Sequence, residues 1–228
     1  MGDKIVVTYL GVDFKRGKCN CDMKVADSLI KSGYIGQREC AVLKMSLTPE
    51  EYLNPTDRKH RYWMKKKWKD AKKRYSFSSF DPKDHAKGMY AINTSMPVRC
   101  GREMADSYNR PAEELERVFG GFKLEECPFH WAKWFGAFDQ GCFDNTLVAY
   151  ILFRRIGNMG FYSMLLGHAD HLKHGVVFGL HYYLYTLFRL LYRGVGLIMY
   201  GDWRDGTEGM QFWKKRCRFK PKVLLEVE

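Results

Sequence analysis

The stretch Val176 to Arg193 constrains the fold more than any other. Val177, Leu180, Leu184, Leu187 and Leu191 recur at alternating steps of three and four, and Phe178, Tyr182 and Phe188 widen that stripe. A helix with so broad an apolar face must be packed across a sheet. The sequence on either side supplies one. Trp131 to Phe138, Thr146 to Arg155 and Phe161 to His168 read as three strands, joined by the turns Asp139-Gln140-Gly141 and Gly157-Asn158-Met159-Gly160. They form an antiparallel meander. Gly194 ends the helix, Val195 to Tyr200 reads as a further strand, Met210 to Arg216 as a short helix, and Phe219 to Val227 as a last strand. The apolar stretch is short for a membrane span and carries His181 and Arg189, so a core helix is expected and no membrane association.

The N-terminal part is patterned differently. Ile5 to Leu10 and Cys40 to Leu47 read as strands, Val25 to Lys31 as a short helix, and Thr48-Pro49-Glu50-Glu51 as a helix start with hydroxyl cap, proline and acids. Pro55 interrupts that helix. Charge then concentrates. The chain of 228 residues has a formal charge of +12, and Asp57 to Arg74 holds ten Lys/Arg against two Asp, a local +8. Met64, Trp68, Ala71 and Tyr75 form an apolar stripe through this basic helix. Two readings fit: a solvated helix docked by its stripe, or a docking face for RNA or another polyanion. In the second, Lys65, Lys66, Lys67, Lys69, Lys72 and Lys73 meet phosphates, and Trp63 or Tyr62 is available to stack. Asp84 to Asn93 reads as helical, and a polar loop between Pro97 and Pro111 places Arg99 and Arg102 around Gly101, an arrangement suited to a carboxylate or phosphate.

The seven cysteines are odd in number and include no C-x-x-C pair; Cys19 and Cys21 are the close pair. Reduced thiols and a cytoplasmic location are expected, with a redox or metal site at Cys19, Cys21 and Cys40 as the alternative. His168, Asp170 and His171 crowd the loop before the long helix, and their spacing lacks a strong metal-ligand signature. No metal is expected.

The order strand, strand, strand, helix, strand, helix, strand resembles the GNAT acyltransferase fold. The segment Gly206 to Pro221, GTEGMQFWKKRCRFKP, carries most of the likeness, because a short helix with adjacent aromatics precedes a basic, aromatic, proline-containing strand start. With RGVGLIMYGDW before it, the segment is nearest to the Fem-type aminoacyltransferase and arginyl-transferase-like branch. The resemblance covers about 85–225 and is firmest over 146–221. It implies an α+β fold with a mixed, mostly antiparallel central sheet flanked by helices, preceded by a basic helical elaboration. The expectation is one acyltransferase domain over 1–228, with N-terminal strands and basic helix in 1–84 and the core in 85–228.

The resemblance implies transfer of an acyl group, acetyl first among them, from acetyl-CoA or another acyl-CoA to an amine of a small molecule or protein. Two departures bear on the donor. Arg218 stands where the family usually has Gly, and His171 to Val177 holds a single glycine where CoA-dependent members have a glycine-rich loop. Branches that use aminoacyl-tRNA also lack that loop, so tRNA is the alternative donor. Leu166 to Asp170 is the expected source of N–H donors for the acyl carbonyl. Leu166, Gly167, Lys173, His174, Gly175 and Val176 line the expected donor site, with Trp213 and Lys214 across from them. His168, Asp170, His171 and Asp202 are candidate bases and Tyr200 a candidate acid, while Arg99 and Arg102 are candidate substrate contacts. Trp213 occupies the place where a Tyr often acts as acid in CoA-dependent members. His181, on the apolar helix, reads as a satisfied core histidine. A rival of another class is a non-catalytic nucleic-acid-binding or scaffold protein that keeps the fold.

Overall fold

A computed structural model describes residues 4–7, 38–120, 130–141, 145–156, 159–192 and 194–226. The expected Val25–Lys31 helix and the Cys19/Cys21 pair lie outside the described residues. The chain starts with β1 (Lys4–Val7) and β2 (Glu39–Lys44), then α1 (Pro49–Tyr52), the basic helix α2 (Arg58–Arg74) and β3 (Tyr75–Phe80). After α3 (Ala86–Thr94) come the short hairpin strands β4 (Val98–Arg99) and β5 (Arg102–Glu103), then α4 (Ala112–Gly120). The meander is β6 (His130–Asp139), β7 (Thr146–Ile156) and β8 (Met159–Gly167). The chain continues through α5 (Ala169–Leu172), α6 (Val176–Leu190), β9 (Leu197–Asp202), α7 (Glu208–Arg216) and β10 (Lys220–Glu226).

Strands from both ends of the chain share one 8-stranded sheet, in the order β1-β10-β2-β9-β8-β7-β6-β3. The pairs β8/β9 and β1/β10 are parallel and the others antiparallel. The sheet is thus the mixed, mostly antiparallel one expected, with helices on both faces. The crossover helix α6 lies between the parallel neighbours β8 and β9, as a parallel connection requires.

The alternation of β7 builds both cores. Ile151 and Phe153 belong to the cluster under α6 with Leu180, Leu184 and Phe188, whereas Tyr150 and Leu152 pack with Met89, Ile92 and Leu115 of α3 and α4. Helix α2 docks on α6 through Met64 and Ala71, both fully buried. A Cβ on Gly179 would sit 2.5 Å from Ala71 Cβ and 2.9 Å from Phe77 Cζ, so the absent side chain is what lets α2 and β3 approach α6.

Two expectations differ from the structure. Tyr75, expected as the last member of the α2 stripe, has extended backbone and opens β3. The alternating run Tyr75–Phe80 pairs in full with β6, from Tyr75↔Asp139 to Phe80↔Trp134, and that ladder outweighs one more helical residue. The loop after β8 contains α5, with the His168 side chain accepting from the Asp170 N–H at 3.4 Å.

His181 is fully buried and bonded at both ring nitrogens. Tyr52 Oη lies 2.8 Å from Nε2 and donates its own proton to the Cys217 carbonyl at 2.7 Å, so Nε2 must be the donor of that contact. Nδ1 then accepts from the Tyr162 hydroxyl at 2.8 Å. Burial holds the imidazole neutral, with its pKa down at about 3.

Candidate active site

Strands β8 and β9 pair only from Met159↔Leu197 to Phe161↔Met199. Beyond that point β8 runs on to Gly167 and β9 to Asp202 without each other. The parting coincides with a bulge in β8: Leu152 pairs with Met164 and Phe153 with Tyr162, leaving Ser163 as the extra residue. The His168 N–H donates to the Val148 carbonyl at 2.8 Å. Antiparallel alternation therefore turns the backbone groups of Met164 and Leu166 toward β7, and those of Leu165 and Gly167 toward the open edge. The Gly167 carbonyl indeed accepts from Arg99 Nη1 on that side, at 2.9 Å.

A cleft of about 880 Å³ opens at the parting. Leu165, Leu166 and Gly167 of β8 line it, together with Tyr200 of β9 and Met210 and Trp213 of α7. The hairpin contributes Arg99, Cys100, Arg102 and Glu103. Gly175, Val177 and Phe178 bring in the first turn of α6, and α2 adds Trp63 and Lys67. Gly175 has φ +77°, and a Cβ there would lie 2.8 Å from Lys67 Cδ, so glycine serves both the left-handed backbone and the close passage of the lysine. Lys67 Nζ donates to the Lys173 carbonyl at 2.8 Å. An ammonium thus stands beside helix-start N–H groups that have no intrahelical partner, a setting that favours an anion.

The hairpin is tied down at two points. Arg99 is half-buried and bonds the carbonyls of Gly167 and Ile92 and the Ser95 hydroxyl. Desolvation lowers its pKa. Arg102 pairs with Asp205 at 3.0 Å, both side chains largely exposed, a bond that restrains the hairpin only weakly.

Of the residues expected from the sequence, Leu166, Gly167, Gly175, Tyr200, Trp213, Arg99 and Arg102 line this cleft, as does Lys67. Tyr200 packs against Trp213, Tyr162 and Phe219, and burial pushes its hydroxyl well up, so it is protonated at neutral pH. Asp202 lines an adjoining pocket of about 170 Å³ and accepts from the Arg204 N–H at 2.8 Å. Lys214 is 2% exposed. Its ammonium bonds the carbonyls of Asp202, Trp203 and Asp205, pinning the β9–α7 loop. Burial lowers its pKa, against the pull of Asp205 and Asp202. Lys173 and His174 flank the anion setting, and Val176 is fully buried.

The His168, Asp170 and His171 side chains stand outside the cleft lining. Asp170 points to solvent, 84% exposed and 3.7 Å from His168. His171 turns toward the end of β6, 3.0 Å from the Tyr75 hydroxyl and 3.6 Å from Asp139. Its burial lowers its pKa, with Asp139 opposing. Asp139 is buried, which disfavours its charge. The Gly141 N–H, Arg74 and His171 outweigh that and keep its carboxyl below the usual range. Lys65, Lys66, Lys69, Lys72 and Lys73 lie exposed on α2. Sequence reasoning missed Leu165, Met210 and Glu103. The first two fell within an expected strand and an expected short helix with nothing to single them out, and no local signal marks which residue of a polar loop will face a cleft.

No protein family matches the chain in sequence, and no curated protein does. Solved structures match by fold. FemX superposes with a TM-score of 0.56 at 13% identity, over 87% of this chain and 66% of that one. L-PGS from Bacillus licheniformis gives 0.52 at 10% identity, over 81% and 57%. A tandem GNAT protein from the clavulanic acid biosynthesis pathway gives 0.46 at 18%, over 88% and 56%. The chain spans less than two thirds of the length of each. Its fold is like that of FemX and L-PGS.

Proposed function

We propose that the protein transfers an acyl group from a phosphate-bearing carrier to an amine, in the cleft where β8 and β9 part. The observation that carries this reading is the parting itself, which presents the Leu165 and Gly167 N–H groups beside an anion setting at the start of α6. Acyl transfer needs donors aimed at the oxygen on which charge develops, and backbone N–H groups supply them with no reorganisation. Glu103 is the only carboxylate among the described residues lining the cleft. It attracts the amine as an ammonium and takes up the proton that amide formation releases. The ammonium first loses a proton to water; the free amine nitrogen then attacks the carbonyl carbon and passes its surplus proton to Glu103. The bond to the carrier breaks as Tyr200 gives its proton to the departing oxygen or sulfur and is reprotonated from solvent. His168, Asp170 and His171 order the loop between β8 and α6 in this reading, and Asp202 and Lys214 shape the β9–α7 loop.

The carrier is either acyl-CoA or aminoacyl-tRNA, and one observation favours the second. Helix α2 forms part of the cleft wall through Trp63 and Lys67 while its other lysines lead outward over exposed surface. A carrier larger than CoA would use both. The Fem-type resemblance points the same way. No helix among the described residues is long and apolar enough to cross a membrane, and work on a tRNA carrier would place the protein in the cytoplasm.

Side-by-side transfer assays with acetyl-CoA and with charged tRNA, toward a panel of free amines, test the reading. Transfer from charged tRNA that weakens in Lys67→Gln supports it as stated. Turnover with acyl-CoA alone makes that the carrier. No transfer from either, with salt-sensitive RNA binding, would leave a non-catalytic nucleic-acid-binding protein.

A further inference from the structure

The cleft also carries information about the group it transfers, given the transferase reading above. Much of its lining is apolar, including Leu165, Leu166, Met104, Tyr108, Met210 and Trp213. The charged groups are engaged elsewhere or lie at the edge. The Arg99 guanidinium bonds two carbonyls and a hydroxyl, Arg102 faces Asp205, Lys67 stands at the α6 end, and Glu103 is exposed to solvent. A charged side chain on the acyl group would lose its hydration against this apolar lining. The one carboxylate among the described lining residues, Glu103, is taken by the incoming ammonium in the reading above, so the charge would stay unpaired, which is costly. The cleft of about 880 Å³ is on the scale of pockets that enclose whole small ligands, about 300–1,000 Å³. Carrier and amine share that volume, and an acetyl group would still leave much of the apolar lining wetted. Two methionines in the lining, Met104 and Met210, supply side chains that adapt to differently shaped apolar groups.

We propose that the transferred group is bulky, apolar and uncharged, of the size of a hexanoyl, leucyl or phenylalanyl group rather than acetyl, and that Met210 sets its upper size. Two donor series test this with the full chain: acetyl-, butyryl- and hexanoyl-CoA, and tRNA charged with alanine, leucine, phenylalanine, aspartate or lysine. Whichever carrier is used, kcat/KM should rise about fourfold for each methylene buried, and the aspartyl and lysyl donors should fall at least about tenfold below leucyl. Met210→Trp should lower kcat/KM for the large donors and spare the smallest. Ala105→Trp, on the exposed hairpin side of the same cleft, should shift the preference likewise without touching the core. A preference for acetyl or alanyl, or for a charged side chain, would overturn the proposal.

Calorimetry with N-hexanoylglycinamide and N-acetylglycinamide reads the cleft without turnover. Tighter binding of the hexanoyl probe, weakened by Ala105→Trp, is the expected result. Equal binding would overturn the apolar site. Tighter hexanoyl binding with no transfer from any donor would sink the transferase reading while leaving the apolar site standing.

Discussion

Two residues show how burial sets chemistry at single side chains. His181 is neutral in the fold, with a pKa of about 3, whereas an unfolded chain protonates it near its ordinary value of 6.5. Between those values the unfolded state holds one more proton, so stability is complete above about pH 6.5 and falls as the pH drops toward 3. The slope is about 1.4 kcal/mol per pH unit at most. Urea unfolding from pH 8 to pH 4 should show this component. His181→Gln, less stable at pH 8 because it disturbs the Tyr52 and Tyr162 bonds, should lack it. The same burial argument keeps Tyr200 protonated at neutral pH, as the proposed role of proton donor needs. Tyr200→Phe should lower kcat by about 10²–10⁴ with KM little changed, and single-turnover kinetics would separate chemistry from binding. Unchanged kcat would remove Tyr200 from the reaction. His181 was readable as a core histidine because it interrupts an apolar helix; the tautomer and its tyrosine partners were not, since Tyr52 and Tyr162 come from distant parts of the chain.

At the scale of elements, α2 reaches the cleft only because it can lie close on α6. The contact of Gly179 with Ala71 and Phe77 sets that distance. Gly179→Ala gains helix propensity, yet its methyl meets Ala71 Cβ, which cannot swing aside. A net loss of about 1–3 kcal/mol is expected, measured by chemical denaturation, together with weaker donor binding as Trp63 and Lys67 move outward. A neutral result would mean that α2 settles elsewhere at no cost. The meander, α6, β9, α7 and β10 were legible because each has its own period, turn or cap. The strand β3 was not anticipated. Its run YSFSSF is short and follows a strong helical stripe, and only the ladder with β6 makes it a strand. The hairpin β4–β5 pairs just four residues and left no periodic trace.

At the scale of the molecule, the charge of +12 is laid out asymmetrically, with ten Lys/Arg against two Asp between Asp57 and Arg74. Affinity for a polyanion through this surface should fall linearly in log K with log salt. The slope is about −0.9 per phosphate neutralised on duplex and about −0.7 on single strands. Replacing Lys65, Lys66, Lys69, Lys72 and Lys73 by Gln should flatten that slope by several such steps, because these side chains are solvent-exposed, and should leave the fold intact. Filter binding of RNA across a salt series, with circular dichroism as control, measures both. An unaltered slope would return α2 to the role of a solvated helix.

By itself the sequence determined the fold class, the antiparallel meander, the apolar crossover helix and the concentration of charge in one segment. These are written in local periodicity, and backbone sterics and hydrophobic burial read that information directly. The tertiary structure decided which side chains line the cleft. The sequence groups His168, Asp170 and His171 beside the end of β8, but α5 turns them away from the cleft, toward solvent and the end of β6. Glu103, Met210 and Leu165 converge there instead, from segments distant in the chain. Convergence of that kind depends on strand neighbours, register and the point where β8 and β9 part. Those are set by the packing of the whole sheet between its helices, which no local pattern encodes.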